Sequence, residues 1–217
     1  MPSITSVSRL WPLALMLAAL FLPAALRGAV PPTATDSPPA QSAPSSLAGQ
    51  LLIAPPEMLD PRFDRAVVLV VRHDGDGALG IVINMPVGEQ PLAALLAAIG
   101  EPAIDTDVSV PVFRGGPVQP EVVLVLHSAE YRCPGTLAVD GRVALTATPQ
   151  ILRDMAAKVG PQKSLFAFGY AGWGAGQLDN EMAHNVWFTA PSDPKLVFDA
   201  DRDKVWELAL ARRTRDL

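Results

Sequence analysis

The apolar runs of this chain are short, rich in β-branched residues, and cut off by turn residues before they reach helix length. That punctuation limits the fold more than any single motif does. Ala66 to Arg72 reads AVVLVVR, Ala78 to Asn84 reads ALGIVIN, and Val122 to Leu126 reads VVLVL. Each suits a buried strand. His73-Asp74-Gly75-Asp76-Gly77 is a dense turn signal between the first two, so the pair reads as a β-hairpin that Pro86 and Gly88 bring to an end. Gln50 to Ala54 reads as a strand closed by Pro55-Pro56, and Asp60 to Phe63 as a turn. Val110 to Phe113 is a brief strand, and Leu137 to Val139 with Arg142 to Leu145 reads as a second hairpin across Asp140-Gly141. Ser164 to Tyr170, Val186 to Thr189 and Leu196 to Phe198 are the remaining predicted strands.

Helices are fewer. Pro91 to Ile99 has Pro in its first turn and Gly100 as its stop. Thr148-Pro149 opens another, with Thr148 as N-cap and Ile151, Leu152, Met155, Ala156 and Val159 as its apolar face. Asp201 caps a last helix in which Val205, Trp206, Leu208 and Ala209 face inward. Strands and helices mix without regular β-α-β alternation, and neighbouring strands are joined by short turns. The expectation is α+β: one compact domain with a mostly antiparallel sheet flanked by short helices, rather than a doubly wound fold.

The first residues differ from the rest. Arg9 precedes an uncharged apolar stretch, Leu10 to Leu26, followed by small residues: the pattern of a signal peptide or signal anchor over residues 1–29. Cleavage is expected near residues 25–29, with a retained anchor as the alternative. Residues 30–46 are rich in Pro, Ala, Ser and Thr and read as a disordered linker. The folded domain is expected over 47–213, with 214–217 as a tail. Export to the periplasm or tethering to the membrane follows if the leader is translated, and a cytoplasmic location if it is not. Any membrane contact would run through residues 10–26.

A net charge of −5 argues against a general affinity for nucleic acid, whose phosphates need clustered cations. The basic tail Arg212, Arg213, Arg215 reads as a solvated helix end. Cys133 is the one cysteine, which removes intramolecular disulfides and zinc-finger spacings, and Pro134-Gly135 after it indicates a loop.

Three polar clusters interrupt the apolar pattern. His73, Asp74 and Asp76 are metal-ligand types, but their two glycines are what a hairpin turn requires, and the turn is the favoured reading. Arg114-Gly115-Gly116-Pro117 could present backbone N–H groups to an anion, although no Lys-Ser/Thr follows as a phosphate loop demands. Gly169 to Trp187, GYAGWGAGQLDNEMAHNVW, starts too glycine-rich for a helix and continues from Gly176 as a polar one. Gln177, Glu181 and Asn185 are spaced to share a face of that helix, with His184 at its edge and Trp173 and Trp187 on either side. That face is a candidate pocket wall. Candidate ligand-binding residues are Gly115, Gly116, Trp173, Gln177, Glu181 and Asn185. His127, at a strand end, could pair with Glu181 for acid–base chemistry. The common hydrolase signatures are absent from the sequence.

LLIAPPEMLDPRFDRAVVLVVRHDGDGALGIVINMP, FRGGPVQPEVVLVLH and GYAGWGAGQLDNEMAHNVW, in this order and spacing, resemble the YqgE/AlgH family over roughly Leu47 to Arg213. The resemblance implies a compact bacterial α+β domain with a bulged, mostly antiparallel sheet. It implies no established activity or catalytic residues, although some members carry a transcriptional-regulator label. Arg72 stands where the family commonly has Glu, and the leader and linker are additional. The expected function is a non-catalytic ligand-binding or regulatory domain for a small molecule or protein, with no cofactor. The alternative is a hydrolase using His127 and Glu181 near Trp173, and a DNA-binding regulator comes last.

Overall fold

Residues 46–102 and 104–214 are described by the computed structural model of the chain. The expected leader and nearly all of the linker lie outside them, as do residues 215–217. Within the described residues ten strands form one curled, predominantly antiparallel sheet: β1 (Gln50–Ile53), β2 (Val67–Asp74), β3 (Gly77–Val82), β4 (Pro86–Pro91), β5 (Ser109–Arg114), β6 (Val118–Ser128), β7 (Thr136–Ala138), β8 (Val143–Thr146), β9 (Ser164–Gly174) and β10 (Phe188–Pro191). The main path runs β10-β1-β2-β3-β9-β6-β8-β7, and β4 joins through β5, which pairs with β9. That β5–β9 pairing is parallel, inside a sheet whose other pairings are antiparallel. Four short helices accompany the sheet: α1 (Leu92–Ala98), α2 (Pro149–Ala156), α3 (Gln177–Ala183) and α4 (Val205–Ala211).

The central strands are apolar at consecutive positions because both of their faces are covered. Leu51, Ile53, Val67 and Leu69 point to one core with Val205 and Ala209 of α4, whereas Leu52, Val68 and Val70 point to another with Trp173, Leu178 and Trp187. The period of two along a strand sends alternate residues to opposite faces. A third cluster packs α1 and α2 on the sheet through Leu92, Leu96, Ile151, Val125 and Phe166.

Several local expectations are corrected. The glycine-rich start of the Gly169–Trp187 stretch is a strand: β9 continues to Gly174 and pairs with β3. A Cβ on Gly77 of β3 would overlap the Trp173 carbonyl oxygen, and one on Gly169 of β9 would crowd the Gly116 and Val118 carbonyl oxygens, so these two glycines mark close packing, whereas Gly172 and Gly174 meet no backbone so near. Pro86 to Pro91, read as the end of a hairpin, forms β4. It is exposed throughout, has a bulge between Pro86 and Gly88, and pairs only with β5 among the described strands, an edge position where proline is tolerated. Leu196 to Phe198 is no strand but part of a π-helical turn, Lys195–Asp199, which buries Leu196 and Val197 against the first core; tertiary burial overrides the local β preference. Val159 lies beyond the end of α2, after Lys158 has taken a positive φ, and is 67 % exposed rather than inward. Leu208 is 41 % exposed on α4. Thr148 does sit at the N-cap of α2, but its hydroxyl donates to the Pro134 carbonyl instead of capping.

Candidate functional site

The three polar clusters all border β9. His73 to Gly77 closes the β2–β3 hairpin, with Gly77 opposite Gly174 and Ala78 opposite Trp173. The Gly115 amide donates to the Phe168 carbonyl at 2.8 Å, and a Cβ on Gly116 would overlap the Tyr170 backbone. Gly115 and Gly116 are therefore small because two backbones pack against each other.

The α3 face is internally satisfied. Glu181 Oε2 accepts from the indole N–H groups of Trp173 and Trp187, both at 2.8 Å, and Oε1 accepts from the Gln177 amide at 2.9 Å. Gln177 Oε1 in turn accepts from the Gly174 amide at 3.1 Å. The two indoles meet edge to face at 6.2 Å between centroids. These bonds explain why a carboxylate is flanked by tryptophans: buried indole N–H groups need an acceptor. Asn185 does not share the face. It falls after α3 ends, with a φ of 56°, and is exposed, as is His184.

His73 is buried and engaged on both nitrogens. The Leu47 amide donates to Nδ1 at 3.1 Å, and Nε2 faces Asp179 of α3 at 3.3 Å. A backbone N–H can only donate, so Nδ1 carries no proton and the neutral ring places its hydrogen on Nε2, toward Asp179. Asp74 is exposed and lies near Arg72, and the Asp76 amide donates to it as a turn requires. Among the described residues, no three His, Cys, Asp or Glu side chains are arranged to hold a metal ion.

His127 and Glu181 are not brought together. His127 pairs across the sheet with Ser164 at the start of β9, while Glu181 holds Trp173 nine residues further along the same strand. At about 3.3 Å per residue the separation along an extended strand is on the order of 30 Å, far outside the reach acid–base partners need. His127 is fully buried instead. Its Nδ1 lies 3.0 Å from the Ser128 carbonyl and its Nε2 2.8 Å from the Thr146 hydroxyl. Burial holds its pKa below the ordinary imidazole value, against the raising effects of the Ser128 carbonyl and Glu130.

A second cluster adjoins His127. The Thr146 hydroxyl is 2.8 Å from that of Thr136, which accepts from the Cys133 amide at 3.1 Å, and the Cys133 thiol lies 3.6 Å from Thr136 Oγ1 and 3.8 Å from Thr148 Oγ1. Burial pushes the Cys133 thiol up, but the polar hydroxyl surroundings of Tyr131 and the threonines outweigh it and leave the pKa lowered. Tyr131, buried and donating to Asp154 at 2.6 Å, is pushed well above the ordinary phenol value, first by burial and then by that bond.

Two surface depressions meet at Met85. The larger, about 370 Å³, is bordered by Asp64, Arg65, Asn84, Arg202, Asp203 and Trp206. Its charges are mixed: Arg65 pairs with Glu207 at 3.2 Å and stacks on Trp206, Arg202 donates to the Ile83 and Val197 carbonyls, and Asn84 bonds the backbone at Val67 and Arg65. The smaller, about 250 Å³, has Val82, Met85, Pro117 and Pro120 as apolar lining, Gly116 in its wall, and Arg62 and Arg114 at its rim. Arg62 is bound to Asp60 at 2.6 Å. Arg114 is exposed and has no carboxylate within 4.0 Å among the described residues; its Nη2 meets the Met85 sulfur at 3.0 Å. Of the candidate ligand-binding residues only Gly116 lines this groove. Arg62, Val82, Met85 and Pro120 carry no signal in the sequence, whereas Arg114 and Pro117 belong to the Arg114-Gly115-Gly116-Pro117 cluster that the sequence does mark.

A family model described as AlgH-like matches residues 51–217. A UPF0301 protein of Afipia carboxidovorans is 41 % identical over 179 residues, covering 79 % of this chain and 85 % of the relative. One of Xanthomonas campestris pv. campestris is 43 % identical over 175 residues, covering 80 % and 93 %. The solution structure of the AlgH protein from Pseudomonas aeruginosa superposes with a TM-score of 0.68 at 38 % identity, covering 79 % of this chain and 91 % of that one. The crystal structure of a Corynebacterium diphtheriae protein, DIP2367, shares the fold at a TM-score of 0.57 and 23 % identity, covering 73 % and 82 %.

Proposed function

As this chain belongs to the AlgH-like family, we propose that it is a non-catalytic ligand-binding domain whose site is the groove between Arg62, Met85, Arg114 and Pro120. The observation that carries the reading is Arg114: a guanidinium with no carboxylate partner in reach among the described residues, beside an apolar lining. Concave sites that combine apolar walls with a few convergent polar groups are where small ligands bind. The α3 face is the weaker candidate, because Glu181 and Gln177 spend their polar atoms on Trp173, Trp187 and Gly174.

A nucleic-acid partner is disfavoured by the net charge of −5 and by the use of the basic tail: Arg212 pairs with Asp193 at 2.7 Å and Arg213 lies over the Phe188 ring. We place the domain outside the cytoplasm, on the apolar stretch Leu10 to Leu26 and the Pro/Ala/Ser-rich residues after it. Cell fractionation with intact-mass measurement should find an exported protein that starts near residues 25–29; a full-length cytoplasmic protein would refute the placement.

The binding reading is tested by a small-molecule fragment screen followed by melting temperature, with wild type and Arg114→Gln compared. Hits that stabilise wild type and not the variant support it. Hits indifferent to Arg114 sink it.

A further inference from the structure

We infer that the Arg62–Arg114 groove takes a small organic carboxylate carried on a compact apolar body; the inference rests on the binding reading above and adds the class of ligand. Four features of the groove point to this chemistry.

The first is size. A volume of about 250 Å³ lies just below the roughly 300–1,000 Å³ of ordinary small-molecule sites, which suits a ligand of few atoms.

The second is charge. Arg62 is committed to Asp60 through Nε and Nη2, so that pair is close to neutral and Arg62 offers the rim its remaining N–H groups rather than net charge. Among the described residues of the groove, Arg114 is the cation without a carboxylate partner. One unbalanced cation matches one negative charge, and a planar guanidinium matches the two oxygens of a carboxylate. A phosphate dianion would leave a charge uncompensated.

The third is the lining. Val82 is buried, and Met85, Pro117 and Pro120 complete an apolar wall. These residues gain only from a ligand with apolar surface, and the flexible Met85 thioether adapts to its shape.

The fourth is rigidity. The Arg114 amide donates to the Met85 carbonyl at 2.9 Å, the Val82 amide donates to the Gly115 carbonyl at 2.8 Å, and Gly116 is packed on the Tyr170 backbone. The backbone of the groove is preformed, so the ordering cost of binding falls on the Arg114 and Met85 side chains.

The test is an NMR titration of the folded domain, with backbone amides and Met methyl groups observed, using 4-methylpentanoate, its neutral amide 4-methylpentanamide, and inorganic phosphate. The carboxylate is expected to give saturable shifts at Val82, the Met85 methyl and Gly116. The neutral amide should bind roughly tenfold more weakly, the loss of one charge-assisted bond, and phosphate should not saturate these signals. Arg114→Gln, with an otherwise unchanged spectrum, should lower carboxylate affinity by a similar factor, and Arg114→Lys should restore part of it. Equal binding of amide and carboxylate, or saturation by phosphate alone, would overturn the ligand class and leave the groove as a binding site. No groove shifts with any of the three probes would overturn the ligand class and the binding reading together.

Discussion

Trp173 and Trp187 donate their indole N–H groups to the same carboxylate oxygen, Oε2 of Glu181, each at 2.8 Å. One residue of β9 and one just before β10 are thereby tied to the middle of α3. Both indoles are nearly inaccessible, at 7 % and 4 % exposure. The carboxylate that looks catalytic in the sequence fastens a helix to the sheet.

Glu181→Ala should therefore destabilise the domain. It leaves two buried donors without an acceptor, at about 1–3 kcal/mol each, so a loss of about 2–6 kcal/mol is expected. Glu181→Gln keeps an acceptor and should lose less. Denaturant unfolding followed by tryptophan fluorescence measures both. Equal stability of wild type and Glu181→Ala would show that the clamp contributes nothing.

His73→Ala removes the acceptor for the Leu47 amide and the partner of Asp179. Hydrogen exchange at Leu47 should speed up markedly, while amides in the centre of β2 and β3 keep their protection. Unchanged exchange at Leu47 would mean that His73 does not hold the start of the domain.

The lowered pKa of His127 makes stability depend on pH. The unfolded chain binds a proton near pH 6.5 and the folded one only below that, so the unfolded state gains protons first as the solution is acidified. The contribution of His127 is present in full above about pH 6.5 and declines as pH falls toward its folded value. His127→Gln cannot titrate, so its stability should fall less steeply than wild type below pH 6.5. Parallel curves would contradict the burial account.

Gly116→Ala and Gly141→Ala should differ sharply. A Cβ at Gly116 overlaps the Tyr170 backbone, where no side chain can move aside, while one at Gly141 meets nothing within 4 Å. The first is expected to cost more than about 3 kcal/mol and the second to stay within about 0.5 kcal/mol. Thermal unfolding of the two variants separates them; similar melting temperatures would argue against the close approach.

Cys133 should reach half-maximal alkylation rate at a lower pH than an unstructured cysteine, because the hydroxyls around it, Thr136 among them, favour its thiolate. Thr136→Val should move that midpoint up. A profile matching a model peptide in both proteins would count against the hydrogen-bond explanation.

The strand-rich α+β domain was legible because the information is local: apolar runs at Ala66–Arg72 and Ala78–Asn84, with turn residues between them, allow little else. β4 was hidden by its own prolines and glycine, which signal a chain break except at an edge. The π-helical turn at Lys195–Asp199 was hidden because its apolar residues match a strand until the core they enter is known. Gly169 of β9 pointed to the right place for a physical reason, close backbone approach, that the sequence shares with functional loops. The Glu181 clamp was half visible in the flanking tryptophans. The Arg62–Arg114 groove was not visible, since it joins a turn, the loop after β3 and the start of β6 through contacts distant in sequence.

The central claim is that ligands meet the Arg62–Arg114 groove and not the tryptophan face of α3. The most direct measurement is a two-dimensional amide and indole NMR spectrum of the folded domain, recorded against a panel of small organic anions. Concentration-dependent shifts are expected at Val82, Met85 and Gly116, with the Trp173 and Trp187 indole signals unmoved. Shifts confined to those two indoles, with the groove signals silent, would contradict it.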